Sequence, residues 1–380
     1  MQLTTAVTAW HTAYAIARDR PAPLPAELTP VTAAVGRVAA APARARSAVP
    51  AFDTAAMDGY AVAGPGPWTL TGRVLAGPAG HRLAMTAGTA VEIATGAVVP
   101  AGAEAVLQYE TSHRDGSAVT GTCGPRDHIR RAGADVAAGD LVVAAGRVVT
   151  ATTAAAAVQA GVDRLWTHRP PTVTLLVTGD EVVRDGPPGP GQVRDVFTGL
   201  VEAVSARAQA RLSDARHVPD RPDRLQADLD AATSDVVVVT GASSAGAADH
   251  LHTVVDARHW IVRGVACRPG HPQGLAALPD GRWVVSLPGN PYAGLVAALT
   301  LLDPLLAALS GRRAGLPRRP VTGTARLVPD GVRIVPARHD GTIVPATGSG
   351  SLHAAASADY LAVLPADWTN GDNADVLEVP

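Results

Sequence analysis

Residues 172–181 read TVTLLVTGDE, a run of apolar and β-branched residues that stops at Gly179, Asp180 and Glu181. A short apolar run bounded by turn residues is the signature of a strand buried on both faces. Two further segments share the form. Residues 235–241 read DVVVVTG and residues 283–291 read WVVSLPGNP. Between them lie patterns with helical spacing at 195–211, 223–232 and 247–257, and a longer one runs from 291 to 309. Strands alternating with helices define a doubly wound, mostly parallel sheet, and such sheets bind ligands beyond the carboxyl ends of their strands. Here those ends carry TGDE, TGASSAG and LPGNP.

The rest of the chain reads differently. Helical spacing over 4–18 gives way to a Pro-rich break, and a second helix is expected over 30–38. Short strands at 68–76, 90–95 and 104–109, set between Gly and Pro turns, predict a β-rich inserted domain. Helical signals return at 152–161. A Gly/Pro/Arg linker at 311–319 precedes alternating segments at 321–328, 332–337, 341–346, 360–364 and 375–379, read as a small β-barrel. The expected fold class is thus multidomain α/β. A helical/extended linker domain takes 1–42 and 130–168, a β-rich insertion 43–129, a three-layer α/β domain 169–310, and a C-terminal β-barrel 311–380.

Composition narrows the function. The chain has 380 residues, a formal net charge of −2 and 47% apolar content, which argues against disorder and against a nucleic-acid binder driven by bulk charge. All 32 basic residues are arginine, so a site that suits Lys can carry Arg here. Two distant cysteines form no disulfide framework and suit a reducing, cytoplasmic setting. The first twenty residues lack the charged and apolar blocks of a signal peptide. The apolar stretch 295–309 is interrupted by Asp303-Pro304 and reads as too short to span a bilayer. No membrane and no nucleic-acid partner is expected.

Six blocks carry candidate chemistry. FDTAAMDGYAV (52–62) offers Asp53 and Asp58 to a hard cation or to ligand N–H groups. IATGAVVP (93–100) offers Thr95 and a glycine. TGDE offers two acids at a sheet mouth. TGASSAG (240–246), with Asp249 beyond it, offers Gly241, Ser244 and Gly246 as an N–H and hydroxyl cradle. RPGHP (268–272) offers Arg268 and His271 to an oxyanion. LPGNP aims the loop Pro288, Gly289, Asn290 and Pro291 at an anion from a helix start. Read singly, these blocks also fit ordinary strand-end turns. Together they suit a phosphorylated or oxyanionic ligand with a divalent cation. No Gly-Lys-Ser/Thr makes a P-loop, no G-x-S-x-G elbow occurs, and no Cys/His cluster has zinc spacing.

In this order, FDTAAMDGYAV, TGDE and LPGNP resemble the molybdopterin molybdenumtransferases, the MoeA and gephyrin E-domain family, over essentially the whole chain. The resemblance implies a four-domain subunit in a homodimer, with one subunit's Asp58 and Thr95 facing its partner's Glu181 and Asp249. It implies insertion of molybdenum from molybdate into adenylyl-molybdopterin with release of AMP, using Mg²⁺ or a similar cation. By position it implies Asp58, Glu181 and Asp249 as catalytic and metal-binding residues. Thr95, Asp135, Asp220, Gly241, Ser244, Gly246, Arg268, His271 and the 288–291 loop would then bind substrate. Other molybdenum-cofactor biosynthesis proteins are implied as partners. The chain departs from the family at His271, which stands for a Lys, and at Ala242, Ala247, Phe197 and Ala354. Those departures leave two other readings: a catalytically impaired paralogue that binds the pterin nucleotide, or a molybdopterin adenylyltransferase-like nucleotidyl transferase.

Overall fold

The computed structural model describes residues 7–77, 83–241, 250–313 and 315–380. The chain divides into two compact units. One comprises 28–35 and 41–166, the other 1–27, 36–40 and 167–380.

The second unit is built around the sheet that the quoted stretch predicts. Thr172–Thr178 pairs in parallel with Arg211–Val218 on one side and Val236–Thr240 on the other, and Trp283–Leu287 follows in parallel. Gly274–Ala277 and Trp260–Arg263 then extend the sheet antiparallel. Strand alternation sends side chains to two faces. Val173, Leu175, Val177, Val236 and Val238 join one core with Val201, Val204 and the Leu295–Leu309 side chains. Leu176, Val237 and Val239 join the other with Leu225, Leu229 and Leu251. Helices therefore cover both faces, the three-layer arrangement expected of a parallel sheet.

The edge strand Arg211–Val218 was not expected, and the helix predicted over 195–211 is shorter. That helix stops at Arg207, and Gln209, with φ of +57°, helps turn the chain. The strand is only half buried, so it lacks the apolar run that betrays its neighbours. Trp260–Arg263, Val265–Arg268 and Gly274–Ala277 were likewise not expected. Part of the predicted 247–257 helix lies outside the described residues, and the described part is Leu251–Val254.

Asp235 fastens the start of this sheet. Its carboxylate accepts from both Arg169 Nη atoms at 2.9 and 2.7 Å, and from Thr172 N and Oγ1 at 2.8 Å each. Burial by itself raises the carboxyl pKa, but the Arg169 and Thr172 hydrogen bonds outweigh it and hold the group below its ordinary value. A depressed carboxyl stabilises the fold above its unfolded pKa of about 4 and loses that contribution as pH falls through the lower folded value. Asp235→Ala strands Arg169 and two Thr172 donors. It is expected to cost about 2–4 kcal/mol at pH 7, measured by urea unfolding, and distinctly less once pH has fallen through the lowered carboxyl value.

The helix that follows LPGNP runs from Pro291 to Leu309 without a break, and 94% of its apolar window is buried inside the fold. The interruption expected at Asp303-Pro304 is absorbed. Pro304 sits at the start of the segment Asp303–Leu309, directly after a π-helical turn over Ala298–Leu302. The missing N–H and the ring of proline are tolerated where the ladder is being re-phased. The run is long and apolar enough to cross a membrane, but its surface is spent on the core.

Two further differences from expectation concern the flanks. The helix Trp10–Asp19 does not stay with 130–168. Trp10, Ala13, Tyr14 and Ala17 are buried in the same core as the Pro291–Leu309 helix, and Trp10 Nε1 donates to Thr300 Oγ1 at 3.0 Å. The C-terminal segment is not a self-contained barrel. Its sheet has the open order Thr8–Ala9, Val265–Arg268, Val332–Ala337, Tyr360–Leu364, Asn373–Glu378, Arg318–Pro320. Two of these strands come from elsewhere in the chain. The predicted strands at 321–328 and 341–346 contribute only isolated bridges, such as Thr322 to Thr342.

The first unit holds a six-stranded sheet in the order Ala105–Gln108, Gly59–Ala63, Thr89–Ile93, Trp68–Val74, Ala118–Gly121, Ser112–Asp115. Its backbone closes tightly at Gly59, where a Cβ would lie 2.1 Å from Leu107 O. The ends of this β-rich segment meet as Thr54–Ala55 pairs with Ile129–Arg130. The expected second helix is one turn, Val31–Ala34.

Candidate functional site

In the α/β unit the three strand-end loops converge. Thr178 Oγ1 donates to Thr240 O at 2.6 Å, and Gly241 N donates to Leu287 O at 3.2 Å. Gly241, at φ +84°, leaves no room for a side chain, since a Cβ would sit 2.8 Å from Thr178 O. Gly289 in turn packs on Gly241 Cα. Close backbone packing of this kind opens a cleft of about 760 Å³ at the carboxyl ends of the strands. Glu181, Gln192, Asp195, Phe197, Gly241 and the loop from Pro288 to Pro291 line it.

The acids around this cleft play different parts. The Glu181 carboxylate is exposed and lies back over Gly179, whose missing Cβ would otherwise come within 2.6 Å of it. Asp195 is occupied: it accepts from Phe197 N, Thr198 N and Thr198 Oγ1 and starts the helix Phe197–Arg207. Asp220 stands at the end of the neighbouring edge strand, where its N–H donates to Asp180 Oδ1 at 3.3 Å, and it does not line the cleft. Phe197 is buried, and its ring fills the space where Gly294 has no side chain. It is a core residue of the Pro291–Leu309 contact as much as a wall of the cleft. Ser244, Gly246 and Asp249, with Ala242 and Ala247, lie outside the described residues.

A second cavity, of about 620 Å³, adjoins the first and shares Pro272, Pro288 and Asn290 with it. Its charged lining is entirely basic: Arg268, His271, Arg326 and Arg333. None of the three arginines forms an ion pair among the described residues. His271 is oriented by its own loop, with Nδ1 2.9 Å from Val265 O. A carbonyl only accepts, so Nδ1 carries the hydrogen and Nε2 is the free nitrogen. Tyr292 ties the cavity's walls together. Its hydroxyl donates to Ile334 O at 3.1 Å and its N–H to Ser349 O at 2.9 Å. Burial raises the tyrosine's pKa well above its ordinary value. Arg326, Arg333 and Ser349 were missed in the sequence, because isolated residues in the C-terminal segment give no motif to read, and Tyr292 because it reads as an ordinary residue of the helix after LPGNP.

The remaining candidates belong to the other unit. Asp58 Oδ1 accepts from Thr95 N at 2.7 Å, so these two exposed residues are neighbours. Asp53 is engaged by Ala132 N and by Arg131. Asp135 is paired with Arg130. Among the described residues, no three His, Cys, Asp or Glu side chains gather as a metal cage. Among the described residues, Glu181 is the one cleft-lining carboxylate left open by its neighbours. That donor set suits a cation brought in with a ligand's phosphates better than one caged by protein alone.

The chain thus joins a β-rich unit to a unit carrying a parallel-sheet cleft and an adjoining basic cavity. Family models agree: "MoeA N-terminal region (domain I and II)" matches residues 5–161 and "Probable molybdopterin binding domain" matches 174–308. A molybdopterin molybdenumtransferase of Haemophilus influenzae is 32% identical over 280 residues, 70% of this chain and 68% of that protein. Molybdopterin molybdenumtransferase 2 of Mycobacterium tuberculosis is 32% identical over 305 residues, 74% of this chain and 75% of that one. The fold is also that of the crystal structure of a molybdopterin biosynthesis MoeA protein from Pyrococcus horikosii. The TM-score is 0.83 at 24% identity, over 99% of this chain and 100% of that one. The chain belongs to the molybdopterin molybdenumtransferase family.

Proposed function

We propose that this protein inserts molybdenum from molybdate into adenylyl-molybdopterin and releases AMP. It is a transferase of molybdenum cofactor biosynthesis, like the curated relatives it matches. The observation that carries the substrate reading is the pair of adjoining cavities at the strand ends. One has an open carboxylate and a glycine-lined floor, which suits the pterin and its phosphates. The other is basic throughout, which suits a tetrahedral oxyanion. In this reading Arg268, His271 and Arg333 hold molybdate. Gly241, Pro288, Gly289, Asn290 and Pro291 floor the pterin cleft, and Ser244 and Gly246 are assigned to substrate by family position. Glu181 and Asp249, with Asp58, organise the phosphates and their Mg²⁺. Thr95, Asp135 and Asp220 are assigned to substrate by family position. Geometry favours Thr95, which sits on Asp58, over Asp135, whose carboxylate is paired with Arg130.

The two other readings are not favoured. An adenylyltransferase-like enzyme leaves the matched N-terminal region unexplained. An impaired paralogue is weakened because Phe197, one of its supports, is a core residue. The deciding experiment is complementation of a molybdenum-insertion mutant, read out by nitrate reductase activity at ordinary and at high molybdate. Rescue at ordinary molybdate is expected. Failure at both concentrations, with the protein expressed and folded, sinks the reading.

A cytoplasmic location, partner biosynthetic proteins and a homodimer complete the proposal. Both cysteines are free, in keeping with a reducing compartment. For assembly, Asp58 and Thr95 belong to one compact unit and Glu181 and the loop 288–291 to the other. Light scattering is expected to give twice the 38.6 kDa chain mass at micromolar concentration. A monomer there counts against any site shared between subunits.

A further inference from the structure

We propose that Cys267 and Gln273 are positioning residues for the basic cavity: together they hold the backbone carbonyls of its 269–271 turn on protein donors, so that the turn offers an anion no acceptor oxygen. The proposal rests on the reading of that cavity as an oxyanion site.

The turn poses a problem for anion binding. Arg268-Pro269-Gly270-His271-Pro272 contributes five residues to the lining, two of them prolines without an N–H. A turn poor in donors but carrying free carbonyl oxygens would repel an oxyanion, and the field of its arginines would be partly cancelled. The structure accounts for three of these oxygens. Pro269 O accepts from Cys267 Sγ at 3.3 Å. Gly270 O accepts from Gln273 Nε2 at 2.7 Å. His271 O accepts from Val265 N at 3.0 Å and from Gln273 N at 2.9 Å.

The two side chains also act on each other. Gln273 Nε2 lies 3.3 Å from Cys267 Sγ, giving a chain from amide to thiol to the Pro269 carbonyl. Both residues are only 2% exposed. Burial pushes the Cys267 thiol up to about 12, so it remains a donor at any physiological pH. The arrangement has a cost: Gln273 Oε1 is buried without a partner. A buried unpaired amide oxygen is unfavourable unless the rest of the side chain does something needed. An apolar residue of equal size would fill the same space without that penalty. What Gln273 adds over such a residue is the donation to Gly270 O and to Cys267.

The test measures molybdate binding at equilibrium and half-saturating molybdate in AMP release, on the full chain. Gln273→Met keeps volume and removes both donations. Cys267→Ala removes the donation to Pro269 O, and Cys267→Ser restores a donor of the same kind. Half-saturating molybdate is expected to rise about tenfold in Gln273→Met and severalfold in Cys267→Ala. It should return to near wild type in Cys267→Ser, with the rate at saturating molybdate preserved throughout. A merely structural role would lower the saturated rate or the folded fraction and would not discriminate Ser from Ala. Should Gln273→Met fail to fold, the Cys267 pair decides alone. Arg333→Ala is the control for the underlying reading. If it weakens molybdate while the folded Cys267 and Gln273 variants do not, the positioning role is overturned and the oxyanion site stands. If it leaves molybdate binding unchanged, the oxyanion reading falls and the positioning role with it.

Discussion

Glu181→Gln is expected to slow AMP release by about 10²–10³-fold, the range lost when one group organising charge in a transition state is removed. The side chain keeps its length and loses only its charge. Glu181 is exposed, and its carboxylate is not tied to a neighbouring arginine among the described residues. Nothing in the fold therefore depends on that charge, and a surface change of this kind shifts stability by no more than about 0.5 kcal/mol. A hard divalent cation bridging a phosphorylated ligand does depend on it, because a neutral amide oxygen is a poor substitute for a carboxylate. The comparison is single-turnover AMP release against a thermal melt for wild type and variant. A large loss of rate with an unchanged melt separates chemistry from folding. An unchanged rate removes Glu181 from the mechanism. The cleft would then need another open acid, and among its described lining Asp195 is already consumed by Phe197 and Thr198.

The sequence makes Glu181 visible and leaves Arg333 invisible, for a physical reason. Strands buried on both faces must be apolar throughout, so 172–178 and 236–239 announce themselves, and the loops at their ends are found by counting forward. An edge strand such as Arg211–Val218 needs only one covered face and mixes Leu212 with Ser213, Asp214 and Arg216. It therefore gives no strand signal of its own. The C-terminal sheet is harder still. Its second strand, Val265–Arg268, is contributed from within the α/β segment, and no local pattern records a partner some sixty-five residues away in Val332. Arg333 reaches the basic cavity through that pairing, so its role could not be read before the register was known. The motif residues Arg268 and His271 were legible because they occupy one turn. Ser244, Gly246 and Asp249 were equally legible, but they lie outside the described residues.

Molybdate binding is expected to strengthen when the His271 ring is protonated, by roughly tenfold in half-saturating concentration. The cause is the orientation of His271. Its Nδ1 hydrogen is committed to Val265 O at 2.9 Å, so the neutral ring presents the cavity with a bare Nε2 lone pair. That nitrogen offers an oxyanion nothing to accept. The protonated ring presents an N–H and a full charge, a charge-assisted hydrogen bond worth about 1.5–3 kcal/mol, or one to two orders of magnitude in affinity. The other charged groups lining the cavity, Arg268, Arg326 and Arg333, stay protonated throughout and cannot supply the pH dependence. The Tyr292 hydroxyl is held neutral by burial and spent on Ile334 O. His271→Arg replaces a conditional charge by a permanent one. It is expected to tighten molybdate about tenfold at pH 7.5 and to flatten the profile. The extra length has room in a cavity of about 620 Å³ that holds no opposing acid. A flat wild-type profile with no gain in His271→Arg would show that His271 does not touch the anion. The oxyanion would then be held by the arginines alone. Three permanent charges would then suffice.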